Sequence, residues 1–150
     1  MASAVLRLAG AAALGAAVLA SPAAKAEVSV VIDVATGKVL SSKNASARWY
    51  PASTTKLMTA YLALKAMETG DATLDTPVVM TQYAATQVPS KMGYEPGSVM
   101  RLDMALRMML VKSANDVAVA IGQTIGGGSL QPFVDRMNSE ALALGMKDTH

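Results

Sequence analysis

Cysteine is absent from this 150-residue chain, histidine occurs once, and aromatic residues make up only 4%. Without cysteine there is no disulfide framework, no Cys/His metal site and no lipid-modified amino terminus. So few aromatics argue against base-stacking platforms. The formal charge is only +2 and no long Lys/Arg run accompanies it, so nucleic acid is not an expected partner. No metal or other cofactor is expected, and nothing points to more than one folded domain.

Long apolar runs are equally scarce, with one exception at the amino terminus. Arg7 supplies a positive charge, Leu8 to Ala20 is uninterrupted apolar sequence, and Ala24-Lys25-Ala26 places small residues on either side of a lysine. That order predicts a secretory signal over residues 1–26 with cleavage after Ala26. The run is short for a membrane span, which takes about 20 residues, so a retained anchor is the weaker alternative. The mature chain is expected to start near Glu27 and to act outside the cytoplasm, in the periplasm or at the cell surface. Much of the 52% apolar content belongs to this segment, and the remainder is ordinary globular sequence.

The β-branched run Val28–Asp33 and the weaker run Lys38–Ser42 flank a turn at Val34-Ala35-Thr36-Gly37, which predicts a hairpin. A helix is expected from Ser53 or Thr54 to about Thr69, with Leu57, Ala60, Tyr61, Leu64 and Met67 inward, Ala63 and Ala66 widening that face, and Gly70 as its stop. Residues 71–100 read as loop with short pieces of structure. Further helices are predicted over Leu102–Val111 (Leu102, Ala105, Leu106, Met109 and Leu110 inward), Asp116–Ile125, and Pro132 onward to Gly145 (Phe133, Met137, Ala141 and Leu144 inward).

Two short words carry chemistry. Ser53-Thr54-Thr55-Lys56 opens the first helix, where residues three apart share a face, so the Ser53 hydroxyl and the Lys56 amine can meet. A serine needs a base, and a lysine serves only while neutral, a state favoured by burial and by the positive end of a helix. The bland reading makes Ser53 a helix cap and Lys56 a solvated side chain, and a lone S-x-x-K match does not exclude it. Ser113-Ala114-Asn115 sits between two predicted helices. It too has a bland reading, since serine and asparagine both favour the N-cap. Asp33, Glu95, Asp103 and Asp116 show no paired spacing that suggests acid/base work, and His150, the only imidazole, sits at the last position.

Together, the two words resemble the first two active-site motifs of penicillin-binding proteins and serine β-lactamases. VIDVATGKVL, YPASTTKLMTAYLAL, MGYEPGS, LVKSANDVAVAI and MNSEALALGMKDTH resemble, more narrowly, the low-molecular-mass D-alanyl-D-alanine carboxypeptidases. The resemblance implies a mixed α/β, transpeptidase-like fold, with residues 27–150 as the amino-terminal part of the catalytic domain. It implies Ser53 as nucleophile, Lys56 as its base, Ser113 as proton relay, and Asn115 as the amide that orients substrate. The implied partners are the D-Ala-D-Ala end of the peptidoglycan pentapeptide and β-lactam inhibitors.

The family's third motif, Lys-Thr-Gly, does not occur in this chain. The expectation is therefore an incomplete fold, an amino-terminal hairpin plus a helical subdomain without the carboxy-terminal strands, inactive by itself. Any membrane attachment would come from a segment beyond His150. Two alternatives stay open: a serine β-lactamase, and a non-catalytic or truncated module. These words do not separate a carboxypeptidase from a D,D-endopeptidase.

Overall fold

The computed structural model describes residues 27–150; the signal expected over residues 1–26 lies outside the described residues. The chain divides after Trp49 into two units.

The first unit holds the predicted hairpin. Strand β1 (Ser29–Ile32) pairs antiparallel with β2 (Val39–Lys43), Ser29 opposite Lys43, with a bulge between Val31 and Ile32. The turn forms because the Asp33 carboxylate accepts the Thr36 amide at 2.8 Å and the Thr36 hydroxyl at 2.7 Å. Gly37, at φ +70°, takes the left-handed step that returns the chain to the ladder. The Thr36 hydroxyl, and then its amide, holds the Asp33 carboxyl below the ordinary carboxylate range.

The second unit, Tyr50–His150, carries the helices. A 3₁₀ turn (Ala52–Thr54) leads into α1 (Thr55–Glu68), and Gly70 ends that helix at φ +82°. Strands β3 (Pro77–Val79) and β4 (Val99–Arg101) pair antiparallel and bracket a loop that carries the short helix α2 (Gln82–Ala85). Then come α3 (Leu102–Lys112), α4 (Asn115–Ile125) and α5 (Gln131–Ala143). No helix among the described residues is long and apolar enough to cross a membrane.

The core is built from Ala60, Ala63 and Ala66 of α1, Val78 and Met80 around β3, Leu102, Ala105 and Met109 of α3, and Val117, Ala120 and Ile121 of α4. The face that α1 buries is therefore its alanine face, with Thr59 and Leu62 beside it. Small side chains let this helix lie close against α3 and α4. This corrects the predicted inner face: Leu57, Tyr61 and Leu64 are 62%, 40% and 52% exposed. The helix is apolar around most of its circumference, and periodicity cannot say which of two apolar faces a neighbour will cover. Leu110 and Leu144 are likewise turned out, at the margin of their helices, whereas Phe133 and Ala141 are buried as expected.

Helix α5 docks through Phe133. A Cβ at Gly122 of α4 would stand 2.9 Å from Leu130 Cδ1 and 3.1 Å from Phe133 Cδ1, so glycine permits the close approach. Lys65 of α1 pairs with Glu140 of α5 at 2.7 Å, and the Tyr61 hydroxyl donates to the same carboxylate at 3.1 Å. The exposed Tyr61 thus serves the helix contact by its polar end.

Two outcomes follow from this packing. Replacing Phe133 by alanine should cost about 3–5 kcal/mol of unfolding free energy, as removal of a buried aromatic does, measured by urea titration. The second concerns pH. The hydrogen bond from Lys65 holds the Glu140 carboxyl below its ordinary range, burial opposes this, and the Tyr61 hydroxyl assists; the same bond raises the Lys65 ammonium. Glu140's contribution is present above its unfolded-state pKa and lost as pH falls through the lowered folded value. Lys65's is present below its unfolded-state pKa and lost as pH rises through the raised one. The stability gap between wild type and Glu140→Gln should then be widest near neutrality and shrink in acid, in strong alkali and in high salt. A gap unchanged from neutral to acidic pH in thermal melts would remove this ion pair from the account.

Candidate active site

Ser53 lies in the 3₁₀ turn at the entrance to α1, one helical turn before Lys56. Ser113 occupies the corner between α3 and α4, and its backbone is left-handed at φ 59°, ψ 36°. For a residue with a Cβ that conformation costs about 1–2 kcal/mol. Ala114, fully buried and extended, completes the corner, and Asn115 starts α4. A linker of only two residues forces both polar side chains out of the helix packing and toward the start of α1.

All four residues singled out from the sequence meet there. The Ser113 hydroxyl donates to Ser53 Oγ at 2.7 Å. Lys56 Nζ lies 3.4 Å from Ser53 Oγ and 2.6 Å from Asn115 Oδ1. Ser53 is exposed, while Lys56, Ser113 and Asn115 are partly buried. The bland readings fail on geometry. The cap of α1 is Thr54, whose hydroxyl donates to the Pro51 carbonyl at 2.5 Å. The cap of α4 is Ala114, and Ser113 closes α3 with its hydroxyl spent on Ser53.

Lys56 Nζ donates to Asn115 Oδ1 and to Ser53 Oγ, and Ser53 Oγ also accepts from the Ser113 hydroxyl. Asn115 also donates one amide hydrogen to the Val88 carbonyl at 2.9 Å. No protein acceptor among the described residues takes its second amide hydrogen.

Sequence reasoning missed the segment that is hydrogen-bonded to Asn115 and its neighbours. The Ser90 carbonyl accepts the Asn115 backbone N–H at 2.7 Å, and the Ser90 hydroxyl donates to the Lys112 carbonyl at 2.9 Å. The Asp116 carboxylate, fully buried, accepts the backbone N–H groups of Met92 and Gly93 at 3.0 and 2.9 Å. None of these contacts has a spacing signature, since each joins a loop to a helix end across the fold. Asp103 and Asp33 do serve locally, one paired with Arg101 at 3.1 Å and the other in the hairpin turn. Among the described residues no cluster of His, Cys, Asp and Glu is placed to hold a metal.

Known proteins share this arrangement of elements. The chain is 38% identical over 125 residues to the D-alanyl-D-alanine carboxypeptidase DacF of Bacillus subtilis (strain 168), covering 83% of this chain and 32% of that one. The crystal structure of the D-alanyl-D-alanine carboxypeptidase DacD from Francisella tularensis superposes with a TM-score of 0.75 at 37% identity, over 81% of this chain and 29% of that one. Penicillin-binding protein D2 from Listeria monocytogenes, solved in its ampicillin-bound form, gives a TM-score of 0.60 at 29% identity, over 77% and 45% of the two chains. The chain thus spans about a third of the length of its curated relative, and over that span the mixed α/β fold is the one the penicillin-binding proteins share. A family model described as D-alanyl-D-alanine carboxypeptidase, of the S11 peptidases, matches residues 16–150, and this chain belongs to that family.

Proposed function

We propose that this chain carries the acylating machinery of an exported serine D-Ala-D-Ala carboxypeptidase that trims peptidoglycan stem peptides. One observation carries the reading: Ser53 Oγ is met at once by an amine at 3.4 Å and a second hydroxyl at 2.7 Å. That is a nucleophile with a base on one side and a proton donor on the other.

Ser53 Oγ attacks the carbonyl carbon of the terminal D-Ala-D-Ala bond while Lys56 takes its proton. The oxyanion is met by backbone N–H at the helix entrance, where the dipole favours negative charge. The Ser113 hydroxyl gives its proton to the leaving amine of D-alanine and is reprotonated with the proton Lys56 took, and the C–N bond breaks to leave an ester on Ser53. Asn115 steadies Lys56 with its oxygen and orients the acyl-side amide with its free hydrogen. Water then hydrolyses the ester. A β-lactam enters the same path through its ring carbonyl, consistent with the ampicillin-bound Listeria relative. Its leaving amine stays tethered, which slows release. The apolar run after Arg7 supports export, and a wall substrate requires it.

Two measurements test this. The full-length protein treated with penicillin should hold a long-lived adduct, located on Ser53 by intact mass and peptide mapping, and Ser53→Ala should hold none. Rapid turnover without a persistent adduct would favour the β-lactamase instead, and an unlabelled Ser53 would sink the reading. Ser113→Gly separates strain from function. Glycine relieves the left-handed backbone, so unfolding free energy should stay within about 1 kcal/mol of wild type or rise. Acylation should nevertheless drop roughly 100- to 10,000-fold with the lost proton donor. A Ser113→Gly protein that acylates normally would exclude the relay role.

A further inference from the structure

Asp116 is the only buried charged side chain among the described residues, and the chemistry above gives it no role. No lysine, arginine or histidine nitrogen lies within 4 Å of its carboxylate among them. Its partners are backbone amides alone. Oδ1 accepts from Val117 at 2.8 Å and Met92 at 3.0 Å; Oδ2 accepts from Met92 at 3.0 Å and Gly93 at 2.9 Å. An aspartate in the first turn of a helix suits the dipole and is usually left to solvent. This one is turned inward and grips a remote loop.

The gripped segment matters because of what it touches next. The Val88 carbonyl accepts the Asn115 side-chain amide, and the Ser90 carbonyl accepts the Asn115 backbone N–H. The Ser90 hydroxyl reaches the last carbonyl of α3, at Lys112. Segment 88–93 therefore ties together both ends of the two-residue corner that presents Ser113 and Asn115. Apolar burial does not hold it in place, because every residue from Val88 to Gly93 is exposed. Its position rests on these hydrogen bonds, and the ones at Asp116 are the charge-assisted, buried members of the set.

We propose that Asp116 is a positioning residue for the Ser53 site: its carboxylate clamps segment 88–93 to the start of α4, and that segment sets where Asn115 meets Lys56. The proposal rests on the acylation chemistry above for its functional consequence and on geometry alone for the clamp. Asparagine cannot replace the carboxylate, although it has the same shape. Both oxygens accept from backbone N–H groups, so an amide nitrogen in either orientation faces a donor.

The test compares wild type, Asp116→Asn, Asn115→Ala and the double variant of the full-length protein. In wild type, amide hydrogen exchange should show Met92 and Gly93 protected despite their exposed segment; exchange at open-loop rates would refute the clamp without any variant. In Asp116→Asn these two amides should exchange at least tenfold faster, with α1 and α5 unchanged. Penicillin acylation of Ser53 should slow at least tenfold, with kcat on a D-Ala-D-Ala peptide falling and KM little changed. Because Asp116 acts through Asn115, adding Asp116→Asn to Asn115→Ala should slow acylation less than twofold further. Full multiplicative losses, or faster exchange throughout the fold, would reduce Asp116 to a general structural role and overturn the proposal. A wild-type protein that penicillin does not acylate would defeat the functional reading, while the exchange measurements would still decide the clamp.

Discussion

The corner at Ser113-Ala114 is the constraint on which the rest of the site depends. Two helices join through two residues, one left-handed at φ 59° and the other wholly buried, so the chain has no freedom to point Ser113 and Asn115 anywhere but toward α1. A longer linker would relieve the strain at Ser113 and lose the direction of both side chains. Backbone strain of this kind persists only when the surroundings over-determine it. Here they do, through the buried Ala114 beneath and the loop hydrogen bonds at Lys112 and Asn115 above.

The second requirement is that α1 arrive at that corner in register. Its alanine face supplies this, because small side chains on α1 let the larger apolar residues of α3 and α4 pack close against it and leave little room to slide. The approach brings Ser53 within 2.7 Å of Ser113 and Lys56 within 2.6 Å of Asn115 across a gap of some sixty residues in sequence. Ser53 and Lys56 come from one helical turn, while Ser113 and Asn115 come from the junction of α3 and α4, so tertiary packing alone decides whether the four side chains meet. At the far end of α1, Phe133 against Gly122 and the Lys65–Glu140 pair fix α5 without touching the chemistry.

Burial in this unit divides labour between kinds of residue. Apolar side chains hold the helices together, and polar groups hold the loop. Segment 88–93 has almost no packing of its own, so hydrogen bonds to Asn115, Lys112 and Asp116 carry what side-chain burial carries elsewhere. Such a segment is sensitive to the loss of one acceptor, because none of its residues is buried.

The sequence by itself determined the hairpin, the helix spans to within a residue or two, and the two polar words at helix ends. These are local matters, set by turn residues, periodicity and side-chain spacing. Spacing put Ser53 with Lys56 on one turn and Ser113 with Asn115 at one corner, but only the resemblance of the two words together to the penicillin-binding motifs singled them out, since either word alone also reads as a helix cap. The tertiary structure decided which face of α1 is buried, because an apolar helix can be covered from either side and Leu57, Tyr61 and Leu64 were left outside. It also decided the part played by Asp116. A carboxylate that accepts amides more than twenty residues away leaves no local pattern, and only the folded chain brings donor and acceptor together.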